Sequence, residues 1–471
     1  MNSELRNIVL LSLIATFLYY VETMVVPALP DIQRYFSSTA SETAWVASSY
    51  LVVGASTSPI IGKLGDIHGK KKMLLVSLIV YSLMILLAGF SPSILFLIII
   101  RGLQGIGLGA YTLTLSLITD LLPKERVALA QGILSGAVVG VGMALGLVVG
   151  AYIDQYLGWQ YAFHTAFIVS LALLIITYLL VPESNIRIRR SVDYLGSGLL
   201  MMSTVLLLVY ITEIPYIGAF SPSNLVLLFA SVVLFAIFIK EELKQKDPMI
   251  DLRLMRIRNV MIANLVGLIA SAGMFVFFFF VIYYAQTPVP VGLAMDVLST
   301  GLTLAPATII MLVIGPLMGY LMLKIGAKYT LLFGAFFSAL SMLLLLVNKY
   351  SPFQLTEDSA IIGVGLVAVE LPIVNMVAIS MPEEYRAVGM GMNTLMRVLG
   401  YAVGPVIATT IMDSYQQPII IPIKGEMLPL GTYPSSYAFT LMVYVAIMLM
   451  VFSGVISLLA RNYKFNVKVI G

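Results

Sequence analysis

Gly62-Lys63-Leu64-Gly65-Asp66-Ile67-His68-Gly69-Lys70-Lys71-Lys72 is a glycine-rich, basic run carrying one acid, and it lies between two long apolar stretches. The flanks are as informative as the run itself. Of 471 residues 60% are hydrophobic and only 11% charged, against about 25% charged in an average soluble domain. With a mean hydropathy of +1.01, the chain is an integral membrane protein.

Apolar stretches able to cross a hydrocarbon core of about 30 Å as helices recur along the whole length. Fourteen are predicted, at 8–30, 45–62, 73–91, 94–118, 128–153, 160–181, 194–214, 224–240, 259–285, 297–322, 329–347, 359–380, 387–412 and 437–460. Alternating strand-length segments are not recognised, which argues against an outer-membrane barrel. The first stretch exceeds a signal-peptide core, lacks a small-residue cleavage site and contains Glu22, so it reads as an uncleaved span. With zero cysteines, disulfides, thiolate metal sites and cysteine nucleophiles are excluded.

Charge location sets the orientation. With a cytoplasmic N-terminus, 22 of the 27 lysines and arginines fall in inner segments, three (Arg34, Lys349, Lys424) outside, and Arg101 and Arg397 within spans. That asymmetry follows the positive-inside rule and makes both termini cytoplasmic. It also makes the basic residues poor candidates for nucleic-acid contacts.

The opening run has a second copy. Pro59-x2-Gly62-x6-Gly69-x-Lys71 recurs 257 residues later as Pro316-x2-Gly319-x6-Gly326-x-Lys328, and Pro123-x-Glu125-x6-Gly132 recurs as Pro382-x-Glu384-x6-Gly391. Repeats of this kind, packed around a midplane cavity, are a recurrent build of secondary transporters. Three units are expected: 1–181 with six spans, 182–258 with two inserted spans flanked by basic linkers, and 259–471 with six spans.

Gly62-x2-Gly65-Asp66-x2-Gly69-Lys70-Lys71 resembles the signature loop between helices 2 and 3 of the major facilitator superfamily. Arg101-x2-Gln104-Gly105-x-Gly107 is similar to that superfamily's helix-4 motif, and Glu22-Thr23 leading to Ala28-Leu29-Pro30 resembles the end of its helix 1. Fourteen spans with an insertion between the halves is the layout of its fourteen-helix drug:proton antiporter family. The resemblance implies an all-α membrane fold of two six-helix bundles plus two inserted helices. It also implies a latch of one access state at Gly62, Gly65, Asp66, Gly69 and Lys70. Two departures bear on antiport. The family's helix-5 Gly-Pro-x2-Gly-Gly stands here as Gly146-Leu147-x2-Gly150-Ala151, and the helix-1 acid, usually two residues before the threonine, is replaced there by Val21, with Glu22 one place along.

In the run itself, Asp66 can accept backbone hydrogen bonds or pair with an arginine, and is the part able to carry mechanism; a plain tight turn is the alternative. Lys71 and Lys72 read as topogenic. The second copy has Leu323 at the Asp66 position, so a latch would work on one side only.

Charges inside spans cost a few kcal/mol near the bilayer centre and normally face the bundle interior. Glu22, Arg101, Glu370 and Arg397 qualify and are the expected proton-coupling and substrate residues. An arginine effectively never deprotonates, whereas a buried glutamate can exchange a proton. Glu22 and Glu370 are therefore the proton candidates, at mid-depth of spans one and twelve; permanent pairing with arginine, or binding of a cationic substrate, is the alternative for Glu22. Pro372 and Asn375 predict a helix broken beside Glu370, or else a simple kink. Gly132, Gly136 and Gly140, then Gly142, Gly146 and Gly150, form two four-residue ladders for close packing of helix 5. Phe277–Phe280 point round all sides of span nine, so most are expected to meet lipid or packing partners.

The two histidines, His68 and His164, sit at opposite membrane faces, which disfavours an intramembrane enzyme. No ATP-holding loop occurs. The expectation is a multi-pass cell-membrane protein without enzymatic activity, cofactor or metal, working as a monomer among membrane lipids on a small-molecule substrate and protons. Export of amphipathic compounds by alternating access is expected, with a metabolite:proton symporter or facilitator, or a lipid-precursor translocase, as alternatives.

Overall fold

Helix boundaries follow from side chains that satisfy the first free N–H groups of each helix. Thr39 and Glu42 form a reciprocal capping box at the start of one helix, and Ser93, Asp193, Ser221, Asp296, Ser351 and Ser435 cap others. In the computed structural model the described residues are 3–462 apart from 124, 125, 128, 129, 132, 135, 136, 185, 188–190, 246, 247, 382–385, 424 and 425.

The N-terminal half comprises α1 (Ser3–Thr23), the short outer α2 (Leu29–Phe36), α3 (Ala40–His68), α4 (Lys70–Gly89) and α5 (Ile94–Leu121). It continues with α6, described in the consecutive pieces Ala137–Gly142, Met143–Leu145, Gly146–Gly150 and Ala151–Leu157, and α7 (Trp159–Leu180). The inserted pair is α8 (Tyr194–Ile217) and α9 (Pro222–Lys244). The C-terminal half comprises α10 (Arg258–Gln286), α11 (Val297–Ile325), α12 (Ala327–Leu344), α13 (Pro352–Ser380), α14 (Arg386–Ser414) and α15 (Ser436–Leu458). Fourteen helices, all but α2, are long and apolar enough to span a membrane.

Several expectations need correction. An antiparallel ribbon, β1 (Gln416–Ile423) with β2 (Glu426–Pro434), joins α14 to α15. Its apolar residues run together between prolines, so the alternation that signals a strand is missing. Helix α13 runs unbroken through Pro372, because neighbouring helices can support a membrane helix at a proline. Of the two outcomes expected for Phe277–Phe280, packing partners hold: each is at most 3% exposed, since α10 is packed on by α13, α14 and α15. The first span, predicted at 8–30, ends early as a helix: α1 stops at Thr23, one residue after Glu22, and the buried chain continues in tight turns to α2.

The repeat reappears as backbone geometry. Gly69 and Gly326, equivalent hinge positions, have φ of +116° and +91°, values that residues with a Cβ rarely adopt. Glu125, Gly132, Gly136, Pro382 and Glu384, with Lys124, Arg189, Arg190, Lys246, Lys424, Lys464 and Lys468, lie outside the described residues.

Taking the lysine-rich ends as cytoplasmic, the hydrogen bonds described between the two halves cluster in their outer portions. Asp413, near the outer end of α14, accepts from the Ala40 and Ser41 backbone N–H groups at 3.3 and 2.7 Å. Ser48 Oγ donates to the Ala402 carbonyl (2.8 Å), Gln286 Nε2 to that of Pro27 (2.8 Å), and Leu298 N–H to Gln155 Oε1 (2.9 Å). The inserted helix α8 braces this seam. Tyr216 Oη donates to Asp413 (3.1 Å), Trp45 Nε1 to Thr212 Oγ1 (3.2 Å), and Thr410 Oγ1 to the Ile211 carbonyl (3.2 Å).

Candidate functional site

In the N-terminal half Arg101 on α5 is 1% exposed and held by contacts within its own half. Its Nε donates to the Val46 carbonyl (3.0 Å), its Nη1 to Gln104 Oε1 (2.9 Å), and its guanidinium lies 4.5 Å from the Tyr50 ring centroid. A buried cation is tolerated when backbone oxygen and an aromatic face replace its hydration. Gly105 lets α5 lie against the backbone of Tyr50 and Gly54, and Gly107 lies against Tyr81. Glu22, half-buried, has Arg101 as an electrostatic neighbour but no ion-pair contact with it or with any other described residue.

The C-terminal half is arranged differently. Glu370 on α13 forms an ion pair with Arg397 on α14, with side chains 17% and 20% exposed, and accepts from Tyr401 Oη at 3.0 Å. The partners lie 27 residues or more apart in sequence, so only the packing of α13 on α14 joins them. Tyr19 of α1 has Glu22 and Tyr111 on its own side, and Arg397 and Tyr401 of the opposite half, as electrostatic neighbours. Two of the four in-span charges, Glu22 from one half and Arg397 from the other, are thus electrostatic neighbours of one tyrosine at the junction of the halves. Gln104 Nε2 and Arg397 Nε, one donor from each half, have no partner among the described residues.

Helix α6 carries the glycine ladder. Gly142 and Gly146 face α1 and Gly150 faces Met24 just past its end: a methyl group at Gly146 would overlap the Thr23 hydroxyl and approach the Tyr20 carbonyl at 2.7 Å. Two of its pieces, Ala137–Gly142 and Gly146–Gly150, are wound as π-helix, a form frequent at functional sites. Thr23 Oγ1 reaches the Met143 carbonyl between them at 3.3 Å. On its other side α6 meets α11 of the opposite half, where Gly301 lies against the Leu147 carbonyl.

The signature loop closes the inner end of the N-terminal half. Lys70 is 4% exposed, 2.5 Å from Asp120 at the end of α5 and 3.6 Å from Asp66. Ser184 also donates to Asp120. Glu183 accepts the backbone N–H groups of Lys71 and Lys72 at 2.9 and 3.2 Å, occupying the N-terminus of α4. Gly62 and Gly65 let α3 approach Thr112 and Leu113. Lys70 is thus an interior ion-pair centre, and Asp66 meets a lysine rather than an arginine. Sequence reasoning missed Asp120, Glu183, Asp413, Tyr19 and Tyr401. For Asp120 and Glu183 a signal existed, since acids at basic inner ends oppose the prevailing charge.

The sequence matches the Major Facilitator Superfamily profile over residues 11–405. Among curated proteins it is 27% identical over 428 residues to multidrug resistance protein Stp of Mycobacterium tuberculosis, covering 89% of this chain and 79% of Stp. It is 28% identical to the multidrug transporter protein MdtP of Bacillus subtilis (83% and 71% covered) and 25% identical to the riboflavin transporter RibZ of Clostridioides difficile (80% and 81%). Among solved structures it superposes on an auto-inhibited POT family peptide transporter with a TM-score of 0.65 at 14% identity, covering 99% of each chain. The nucleoside transporter NupG gives 0.64 at 11% identity, covering 97% of this chain and 100% of NupG. With the duplicated hinge, the helix-4 arginine and fourteen spanning helices, this chain belongs to the Major Facilitator Superfamily.

Proposed function

We propose that the protein exports lipophilic or amphipathic compounds in exchange for protons, by alternating access between the units 1–181 and 259–471, with 182–258 bracing the outer seam. The observation that carries this reading is the unequal pairing of the two in-span acids. Glu370 has its charge balanced by Arg397, while Glu22 has no counter-ion in contact. Glu22 is the acid free to gain and lose a proton in this conformation, and Glu370 is freed when movement of α13 against α14 breaks its pair. Loss or gain of that counter-ion changes proton affinity, which couples protonation to the direction of access. In the same reading Gly62, Gly65, Asp66, Gly69 and Lys70 latch the inner end. Multidrug-named relatives support the substrate class.

A second reading, carriage of a single metabolite, is favoured by the likeness to a riboflavin transporter and by the missing helix-5 proline. Proteoliposomes with an imposed pH gradient separate the two. Antiport gives proton efflux from the acidic side on substrate addition, and Glu22→Gln or Glu370→Gln abolishes it. Proton and substrate moving together overturn the export reading, and unchanged coupling with both acids replaced overturns the assignment of the acids.

A further inference from the structure

At the outer face of the C-terminal half, away from the in-span charges, a cavity of about 360 Å³ lies between the end of α10, the loop 289–293, Lys349 and the start of α15. Its walls are apolar and aromatic: Tyr284 stacks on Phe280, and Phe439 meets Tyr284 edge-on with centroids 5.2 Å apart. Two positive features face this space. Lys349 is half-buried, lies 5.7 Å from the Tyr284 ring centroid and has no carboxylate within ion-pair distance among the described residues. Ser436 opens α15, a helix of 23 residues. The Ser435 cap serves Ala438, and Ser436, in the first turn at the positive end of the helix, where backbone N–H groups have no intrahelical partner, lines the cavity.

The rim is neither polar nor enclosed. Val289, Tyr350, Phe353 and Tyr437 are 58–70% exposed around or beside the opening, the kind of belt that aromatic side chains form where lipid meets water. We propose that this cavity is a binding site for the headgroup of an anionic glycerophospholipid from the outer leaflet, its phosphate held between Lys349 and the start of α15 and its acyl chains lying over the aromatic rim. A soluble anion would match the charge but leave the apolar rim without a partner; a zwitterionic lipid would match the rim but bring a cation towards Lys349. Burial also lowers the Lys349 pKa, and a bound phosphate restores it by supplying the missing counter-charge. Binding therefore weakens as pH rises through the depressed lysine value. The loop in the cavity wall follows directly from Gln286, whose amide holds the outer seam at Pro27, so occupancy would steady the closed outer face.

The test uses the delipidated full-length protein with phosphatidylglycerol, phosphatidylcholine, inorganic phosphate or glycerol 3-phosphate, read by native mass spectrometry and by thermal stability. Phosphatidylglycerol is expected to be retained as a one-to-one adduct and to raise Tm. Lys349→Gln should weaken retention at least tenfold, with Lys349→Arg restoring it; the arginine variant also shows that loss is not misfolding. Equal retention of phosphatidylcholine, or phosphatidylglycerol retention unchanged in both Lys349→Gln and Lys349→Glu, overturns the site. Equal stabilisation by inorganic phosphate or glycerol 3-phosphate overturns the lipid as its ligand.

Discussion

Replacing Asp413 by asparagine tests whether the outer seam is a gate. Its carboxylate accepts from Ala40 N–H, Ser41 N–H, Tyr216 Oη and Gln416 Nε2, the last at 3.2 Å. It thereby ties α14 to the start of α3 in the opposite half and to the inserted α8. A hydrogen bond to a charged group contributes about 1.5–3 kcal/mol and a neutral one about 0.5–1.5 kcal/mol. Asparagine keeps one acceptor oxygen and loses the charge facing the positive end of α3, so the closed outer face should weaken by about 1–2 kcal/mol. At about 1.4 kcal/mol per tenfold, the ratio of closed to open outer face falls by roughly 5–30-fold. Because the chain has no cysteine, spin labels can be placed on Tyr35→Cys and Tyr437→Cys, both exposed at the outer face of opposite halves, and the distance between them read by pulsed electron paramagnetic resonance. Asp413→Asn should populate a longer distance, Asp413→Ala more so, and Tyr216→Phe by a few fold. An unchanged distance distribution in both Asp413 variants, with the protein folded, would refute the gate.

Three further outcomes follow from the geometry. Arg397→Gln strands the Glu370 carboxylate and should cost about 3–5 kcal/mol, whereas Glu370→Gln with Arg397→Gln should be less destabilising than Arg397→Gln alone; thermal unfolding of the single and double variants measures this, and simple additivity would contradict a coupled pair. Lys70→Gln should destabilise through its buried contact with Asp120 by a similar amount, while Lys72→Gln, exposed and contributing only its backbone N–H to Glu183, should stay within about 0.5 kcal/mol. Gly146→Val forces α6 away from Thr23 and should cost about 1–3 kcal/mol, seen as a lower Tm and slower transport; an unaffected Tm would show that α1 and α6 are not held at this distance.

Much of this architecture is local and therefore visible in sequence. Span number depends on runs of apolar residues, and orientation on where lysine and arginine fall, neither of which needs a partner elsewhere in the chain. The duplicated hinge is equally local, since Gly69 and Gly326 answer a backbone demand at each position. The four in-span charges were visible for the same reason, because an ion within an apolar run stands out. The strands of 416–434 were not, because proline and consecutive isoleucines mask the alternation that a ribbon otherwise shows.

What tertiary structure alone decided is which charge meets which. Glu370 and Arg397 pair because α13 packs on α14, while Glu22, in the equivalent role in the other half, is left without an ion-pair contact because Arg101 is taken by Val46, Gln104 and Tyr50. Lys70 stands in the latch by resemblance with no partner named for it, and in the fold it is the buried partner of Asp120. Asp413 carries no signal in the sequence and becomes a tie between three elements in the fold. Hydropathy and charge bias act on a segment by itself, whereas an ion pair depends on two segments arriving within a few ångströms, and no linear spacing encodes that distance.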